Sequence, residues 1–242
     1  MQNQFNLPQA PTLADFNAVS AALAHYTSDV LLGNLWNRPQ LSKRDRSIVT
    51  LSVLIARHQL IELPTNFNLA LDNGVTATEI SEIITHLAFY SGWANATGAV
   101  AVAKEVFAQR GITAAQLPPV QPVLLPLDEA SEAARKKSVG DNFGTVAPGV
   151  AQFTTDVLFR DLWLRPGLAP RDRSLVTISA LVATGQVAQL GSHLNRAMDN
   201  GLTQAEASET LTQLAFYAGW PNVFTALPVV KEVSEKRTGQ KP

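Results

Sequence analysis

Apolar residues in this chain recur at helical spacing. In the second half, Leu175, Ile178, Leu181 and Val182 follow one another at intervals of three, three and one, which places them on one face of a helix. Pro170 suits the first turn of that helix, because an N–H at this position would have no helical partner. No stretch shows strand-like alternation bounded by turns. The pattern therefore predicts an all-α protein.

Polar residues mark where the later helices of this half begin and end. A helix is predicted over 186–199, with Gly201 as its C-terminal cap. Thr203 and Glu206 have the spacing of a capping box at the start of the next helix. That helix is expected to end near Gly219, and one more helix follows it.

The same pattern occurs twice. A shift of 127 residues aligns the chain with itself without a gap, and about half of the paired positions are identical. The sequence RDRS, for example, stands at 44–47 and again at 171–174. A period this long indicates a duplicated domain, so we predict a tandem duplicated helical bundle. Its parts are a first repeat over 1–110, a Pro-rich linker over 111–130 and a second repeat over 131–242.

Composition narrows the class of protein. Hydrophobic residues make up 46% and charged residues 16%, which favours a well-packed core over disorder. The formal net charge is −1 and no basic stripe is present, so neither nucleic acid nor an anionic membrane is expected as a partner. There is no apolar run of membrane-spanning length. The start, MQNQFNLPQAPTLADF, lacks the regions of a signal peptide, and we expect a cytoplasmic protein.

One difference between the repeats concerns a residue with useful chemistry. His193 in the second repeat aligns with Asn66 in the first. Gln186 and Gln189 precede His193 by seven and four residues, on the same helix face. An imidazole among polar neighbours can exchange a proton near pH 7. The alternative is a histidine on the surface or at an interface.

The charged candidates also admit two interpretations. Arg171 and Arg173 can clamp a carboxylate through paired N–H groups. Equally, they can form structural ion pairs with Asp172, Glu206 or Glu209, and their presence in both repeats favours this second interpretation. Glu206 is explained by its capping box, which leaves Glu209 as the freer candidate for a general acid or base.

The aromatic residues Trp163, Tyr217 and Trp220 are expected to line a cavity or fill the core, and the Tyr217 hydroxyl is a candidate donor to an oxyanion. Four histidines without cysteine and without an H-x-x-x-H pattern predict no metal site. Gly-rich phosphate loops are absent as well, so we expect no cofactor.

Three segments carry a resemblance to a known family. LWLRPGLAPRDRSLVTISALVA (162–183), LGSHLNRAMDNGLTQAEASE (190–209) and LAFYAGWPN (214–222) resemble the carboxymuconolactone decarboxylase family in its two-repeat form. Related motifs occur in the first repeat in the same order. The resemblance implies the all-helical fold of alkyl hydroperoxidase D-like proteins and assembly into rings, commonly trimers.

Two branches of that family bear on function. The peroxidase branch uses a C-x-x-C pair, and Gln186 and Gln189 stand at the matching positions. Because the chain has no cysteine, thiol peroxidase activity is excluded. The decarboxylase branch resembles this chain around His193, Gly201 and Thr203. This implies that the second repeat is the active copy and that the first, with Asn66, is scaffold.

The resulting hypothesis is a cofactor-independent decarboxylase for a small carboxylated lactone or a related anionic metabolite. An arginine would hold a carboxylate, and His193 would support the developing oxyanion or deliver a proton. A non-catalytic ligand-binding or assembly module remains an alternative, as does a lactone hydrolase or isomerase. The residues proposed as catalytic are His193, Arg173 and Glu209, and those proposed to bind substrate are Arg171, Trp163, Gln189, Tyr217 and Trp220.

Overall fold

The computed structural model describes residues 9–239, within which the regular structure is helical and no strand occurs. The all-α prediction is confirmed. Residues 1–8, which carry part of the expectation about a signal peptide, and 240–242 lie outside the described residues. The first repeat contains α1 (Leu13–Val19), α2 (Ala21–His25), α3 (Lys43–Ala56), α4 (Leu63–Asp72), α5 (Ala77–Ser91) and α6 (Trp93–Gln109). The second contains α7 (Glu129–Phe143), α8 (Pro148–Phe153), α9 (Pro170–Ala183), α10 (Val187–Asp199), α11 (Gln204–Tyr217) and α12 (Trp220–Thr238).

The predicted helix caps are present. Thr203 and Glu206 form the capping box of α11, and each binds the backbone N–H of the other. Pro170 occupies the first turn of α9. Gly201 follows α10 with a φ of +99°, a left-handed conformation that an L side chain rarely adopts. These local signals act over three or four residues, which is why the sequence predicts them well.

Helix α9 is buried more completely than its apolar face predicts. Every residue from Asp172 to Ala183 is buried, including the polar ones. The reason is that α9 packs against α3, its counterpart in the first repeat, at the centre of the molecule. The two central helices are then covered by the helices around them, so neither has a face to solvent.

The two repeats share one hydrophobic core rather than forming separate bundles. Helix α5 of the first repeat packs on α9 of the second, and α11 of the second packs on α3 of the first. This exchange brings side chains from α5 and α9 together, and likewise side chains from α11 and α3. The connector supports the arrangement, because the Leu125 N–H donates to the Leu164 carbonyl at 2.8 Å. None of the described helices has the length and apolar character needed to cross a membrane.

Candidate active site

A charged cluster joins the N-terminal ends of the two central helices. Arg171 donates to Asp45 of the other repeat at 2.9 Å and to Glu206 at 2.6 Å. The equivalent Arg44 bonds Asp172 at 2.7 Å and also pairs with Glu79. Each arginine also pairs with the aspartate that follows it in the sequence, so each forms ion pairs with three carboxylates of the protein. Arg171 therefore forms ion pairs that link the two repeats. This agrees with the interpretation of the RDRS motif as a set of structural ion pairs.

Arg173 and its equivalent Arg46 are buried, and each contacts a glutamate of the opposite repeat. Arg173 is fully buried and donates to Glu82 on α5 at 2.9 Å. Arg165 binds the same carboxylate, at 2.9 Å from its Nε. The equivalent contacts join Arg46 and Arg38 to Glu209 on α11. Each buried glutamate thus serves two arginines of the opposite repeat.

The aromatic side chains follow the same crossed pattern. Trp163 Nε1 donates to the hydroxyl of Tyr90 at 2.9 Å, and Trp36 Nε1 donates to the hydroxyl of Tyr217 at 2.9 Å. The chain therefore contains two equivalent sites, each built from both repeats. We define the His193 site as Glu82, His86, Tyr90, Phe159, Trp163, Arg173, His193 and Arg196. The Asn66 site consists of the aligned residues Glu209, Gln213, Tyr217, Leu32, Trp36, Arg46, Asn66 and Leu69.

His193 lies in an aromatic setting at the first of these sites. Its ring stacks on Trp163 with 6.0 Å between centroids and meets Tyr90 edge-on at 5.4 Å. Its Nδ1 is buried and has no hydrogen-bond partner in the described part of the chain. Burial, together with the positive charge of Arg196, lowers the pKa of His193 to about 4. At neutral pH the ring is therefore uncharged, and one of its nitrogens carries a proton.

The second histidine of this site packs against Tyr90 and Trp163. His86 is fully buried, stacks on Tyr90 at 4.6 Å and lies 2.7 Å from Thr177 Oγ1 through its Nε2. The Thr177 hydroxyl already donates to the Arg173 carbonyl, so it must accept from His86 Nε2–H. Burial, with the charge of Arg173, holds the pKa of His86 well below its usual value. At neutral pH the His86 ring is thus uncharged and carries its proton on Nε2. Its stacking holds the ring of Tyr90 in place.

Arg196 is the second arginine of this site, and it is less engaged by other side chains than Arg173. Its guanidinium lies over the rings of Phe159 and Trp163, at 5.0 Å from each centroid. Among residues 9–239 no carboxylate forms an ion pair with it, in contrast to Arg171 and Arg173. A guanidinium stacked on aromatic faces keeps its edge N–H groups available for a carboxylate. Arg196 therefore presents a positive charge beside His193.

Tyr90 supplies a further polar group. Its hydroxyl oxygen accepts from Trp163, which leaves the hydroxyl proton free for another acceptor. Burial raises the pKa of Tyr90 to about 12, against the hydrogen bond from Trp163 and the charge of Arg196. The hydroxyl therefore stays protonated and can act as a hydrogen-bond donor.

The two sites differ in charge and in open space. At the Asn66 site, Leu69 stands where the His193 site has Arg196, and Gln213 stands in place of His86. A cavity of about 1120 Å³ is lined there by Trp36, Asn66, Leu69 and Tyr217. Beside the His193 site, Phe159, Trp163 and Arg196 line a cavity of only about 200 Å³, and His193 is not among its lining residues.

Not all residues selected from the sequence lie together. His193, Trp163 and Arg173 belong to one site, whereas Glu209 and Tyr217 belong to the other. Gln189 is exposed in the first turn of α10. Trp220 is half exposed and packs edge-on against Phe216 at 5.0 Å, on the outside of the molecule.

Sequence reasoning did not select Tyr90, His86 and Arg196. Tyr90 and His86 come from the first repeat, so spacing within the second repeat gives no sign of them. A signal for Arg196 and His86 exists nonetheless. Both residues, like His193, are ionisable in one repeat and uncharged in the other, and the fold gathers these three one-sided differences at one site.

The protein is thus of a class that combines a duplicated all-helical fold with two buried sites, each built from both repeats. No group of three or more His, Asp or Glu side chains within residues 9–239 is arranged to hold a metal ion. The model of the carboxymuconolactone decarboxylase family matches residues 21–105 and 148–232, which is most of the chain. The chain belongs to this family, in a form with two repeats.

Characterised relatives match over the length of a single repeat. The 4-carboxymuconolactone decarboxylase of Acinetobacter baylyi is 34% identical over 101 residues, which cover 42% of this chain and 75% of the relative. The nitrosuccinic acid decarboxylase of Metarhizium robertsii is 36% identical over 81 residues, 34% of this chain and 57% of the relative. Decarboxylation is thus the activity named in both relatives, which supports a decarboxylase-like protein at the level of the family.

Proposed function

We propose that this protein is a cofactor-independent decarboxylase of a small anionic metabolite, a carboxylated lactone or a close chemical relative, and that the reaction takes place at the His193 site. The observation that carries the proposal is the buried Nδ1 of His193, which has no partner in the described residues although it lies beside the free guanidinium of Arg196. Leaving a buried polar atom unpaired costs about 1–3 kcal/mol. A ligand that bonds this atom offsets that cost.

The names of the relatives suggest a shared chemical problem. A conjugated lactone and a nitro acid both contain a group that can accept the electron pair released when CO₂ leaves. The carbon–carbon bond to the carboxylate breaks, CO₂ departs, and the electrons move onto an oxygen of the acceptor group. A proton is then added at carbon. The enzyme must therefore stabilise an oxyanion, which is a task for fixed hydrogen-bond donors in a site of low polarity.

The residues of the His193 site divide this task in our proposal. Arg196 attracts the substrate through a carboxylate, in place of Arg171 and Arg173, which form ion pairs with carboxylates of the protein itself. His193 and Tyr90 donate hydrogen bonds to the oxyanion. The lowered pKa of His193 suits this role, because a neutral imidazole is a donor that does not first need to gain a proton. Trp163 and Phe159 limit the access of water.

Glu82 and His86 act as positioning residues in this mechanism. Glu82 fixes Arg173, and His86 fixes Tyr90 by stacking. The first repeat thereby contributes to the reaction that its own Asn66 cannot support. In this proposal the active unit is the His193 site, which is built from both repeats, rather than the second repeat alone.

The test is an assay of 4-carboxymuconolactone that follows both CO₂ release and loss of the lactone. His193→Asn places at this site the residue found at the other, and Asn66→Ala is the matched control. We expect His193→Asn to lower kcat by about 10²–10³-fold, the usual effect of losing one oxyanion donor. Asn66→Ala should leave turnover close to that of the wild type.

Product analysis separates the rival functions. Loss of CO₂ indicates decarboxylation, whereas a gain of water indicates a lactone hydrolase and an unchanged mass an isomerase. If His193→Asn retains full turnover, the assignment of the reaction to this site is wrong.

A further inference from the structure

We propose that the Asn66 site is a second binding site, which takes an uncharged aromatic molecule carrying a hydroxyl group. The cavity at this site, about 1120 Å³, lies between α4, the segment around α1 and the end of α11. It is much larger than the cavity beside Arg196, and its volume lies just above the range of about 300–1,000 Å³ that is usual for small-ligand sites. This site goes beyond the decarboxylation proposed above and does not depend on it.

The charges around the cavity disfavour an anion. No lysine or arginine occurs among its lining residues in the described part of the chain, and the acidic Glu62 lies at its edge. Leu69 occupies the position that Arg196 holds at the other site. A carboxylate in this cavity would lose contact with water without the counter-charge of a lysine or arginine, which is unfavourable.

The walls of the cavity are suited to a flat ring. The apolar side chains that surround it come from the N-terminal segment, the central helix α3, helix α4 and the end of α11. They include Phe16, Leu32, Trp36, Leu54, Leu69 and Phe216. Contact between aromatic faces and a ring contributes both apolar burial and oriented packing. A molecule with one or two fused rings fits this environment.

The Asn66 side chain offers an acceptor to a donor on the ligand. The Asn66 side-chain N–H donates to the Glu62 carbonyl at 2.8 Å, which fixes the orientation of the amide. Its Oδ1 has no hydrogen bond from the residues that the structure describes, and Asn66 is one of the residues that line the cavity. A hydroxyl of the ligand can donate to this oxygen. The aligned atom at the other site belongs to a histidine, so the two sites select different ligands.

The experiment measures the binding of 2-naphthol, which is uncharged at pH 7, and of 2-naphthoate, an anion of nearly the same shape. Calorimetric titration of the full-length protein should show one molecule of 2-naphthol bound per chain, and 2-naphthoate should not displace it. Leu69→Arg supplies the cation of the other site and should weaken 2-naphthol binding at least about tenfold, or about 1.4 kcal/mol. Leu69→Met keeps the apolar volume and should leave the affinity unchanged.

Arg196→Leu is the matched control at the other site and should not alter 2-naphthol binding. If Leu69→Arg fails to fold, Leu32→Lys, which changes a half-exposed residue at the cavity mouth, provides the same test. Absence of 2-naphthol binding overturns the proposal. Binding that is lost in Arg196→Leu but kept in the Leu69 and Leu32 variants overturns it as well, since the ligand would then occupy the His193 site.

Discussion

The two buried glutamates provide a matched pair of perturbations. Glu209→Gln and Glu82→Gln remove the same negative charge at equivalent positions, and each leaves a fully buried arginine without its counter-charge, Arg46 or Arg173. The two variants differ in the second arginine. Arg38 beside Glu209 is 40% exposed, whereas Arg165 beside Glu82 is 12% exposed.

The cost follows from the burial of the charges left behind. Removing one member of a buried ion pair destabilises a protein by about 3–5 kcal/mol. We expect Glu209→Gln at the lower end of this range, because water can solvate Arg38 and glutamine keeps a hydrogen-bond acceptor. Glu82→Gln should cost more, since neither of its arginines is well solvated. For a domain of this size, about 3 kcal/mol lowers Tm by roughly 6–12 °C.

The pH dependence gives an internal check. Burial raises the pKa of Glu209, but the hydrogen bonds and charges of Arg38 and Arg46 outweigh it, so the pKa lies below its ordinary value of 4.5. The carboxylate therefore stabilises the fold fully above pH 4.5 and loses its effect as pH falls through its lowered pKa. Wild type and Glu209→Gln should approach each other in stability in this acidic range.

The assay combines urea denaturation with turnover measured well below each Tm. Glu209→Gln should be destabilised yet still active, because Glu209 lies at the Asn66 site. Glu82→Gln should lose both stability and activity, because it holds Arg173 in place. If Glu209→Gln unfolds within about 1 kcal/mol of wild type, the charge argument is refuted. If instead Glu209→Gln abolishes turnover and Glu82→Gln does not, the reaction belongs to the other site.

Three further predictions concern single residues. Because the pKa of His193 falls from 6.5 to about 4 on folding, wild type should lose at most about 3 kcal/mol of stability relative to His193→Asn as pH falls from 6.5 to 4, measured by denaturation across that range. Arg196→Leu should raise KM at least about tenfold, as expected for a lost carboxylate contact, whereas Arg171→Leu should lower Tm without a comparable change in KM. Thr203→Ala should cost about 1 kcal/mol in denaturation, through loss of the cap of α11, and leave turnover unchanged.

The local structure could be predicted closely from the sequence. Helix spacing, the capping box of Thr203 and the glycine after α10 depend on neighbours within a few residues, so they are readable without a fold. The duplication is also a property of the sequence, and so are the family motifs and the exclusion of thiol chemistry. The difference between His193 and Asn66 is likewise visible in the sequence, and it marks one position at which the two sites differ.

The tertiary structure alone decided which residues meet. Helices α5 and α11 pack on the central helix of the opposite repeat, so Tyr90, not Tyr217, is the partner of Trp163. No spacing within one repeat encodes this exchange, because contacts between distant segments depend on how complete helices pack. The same packing buries α9 on all sides and engages Arg171 in ion pairs. It also leaves the half-buried Arg196 beside His193, where we propose that its guanidinium binds a substrate carboxylate.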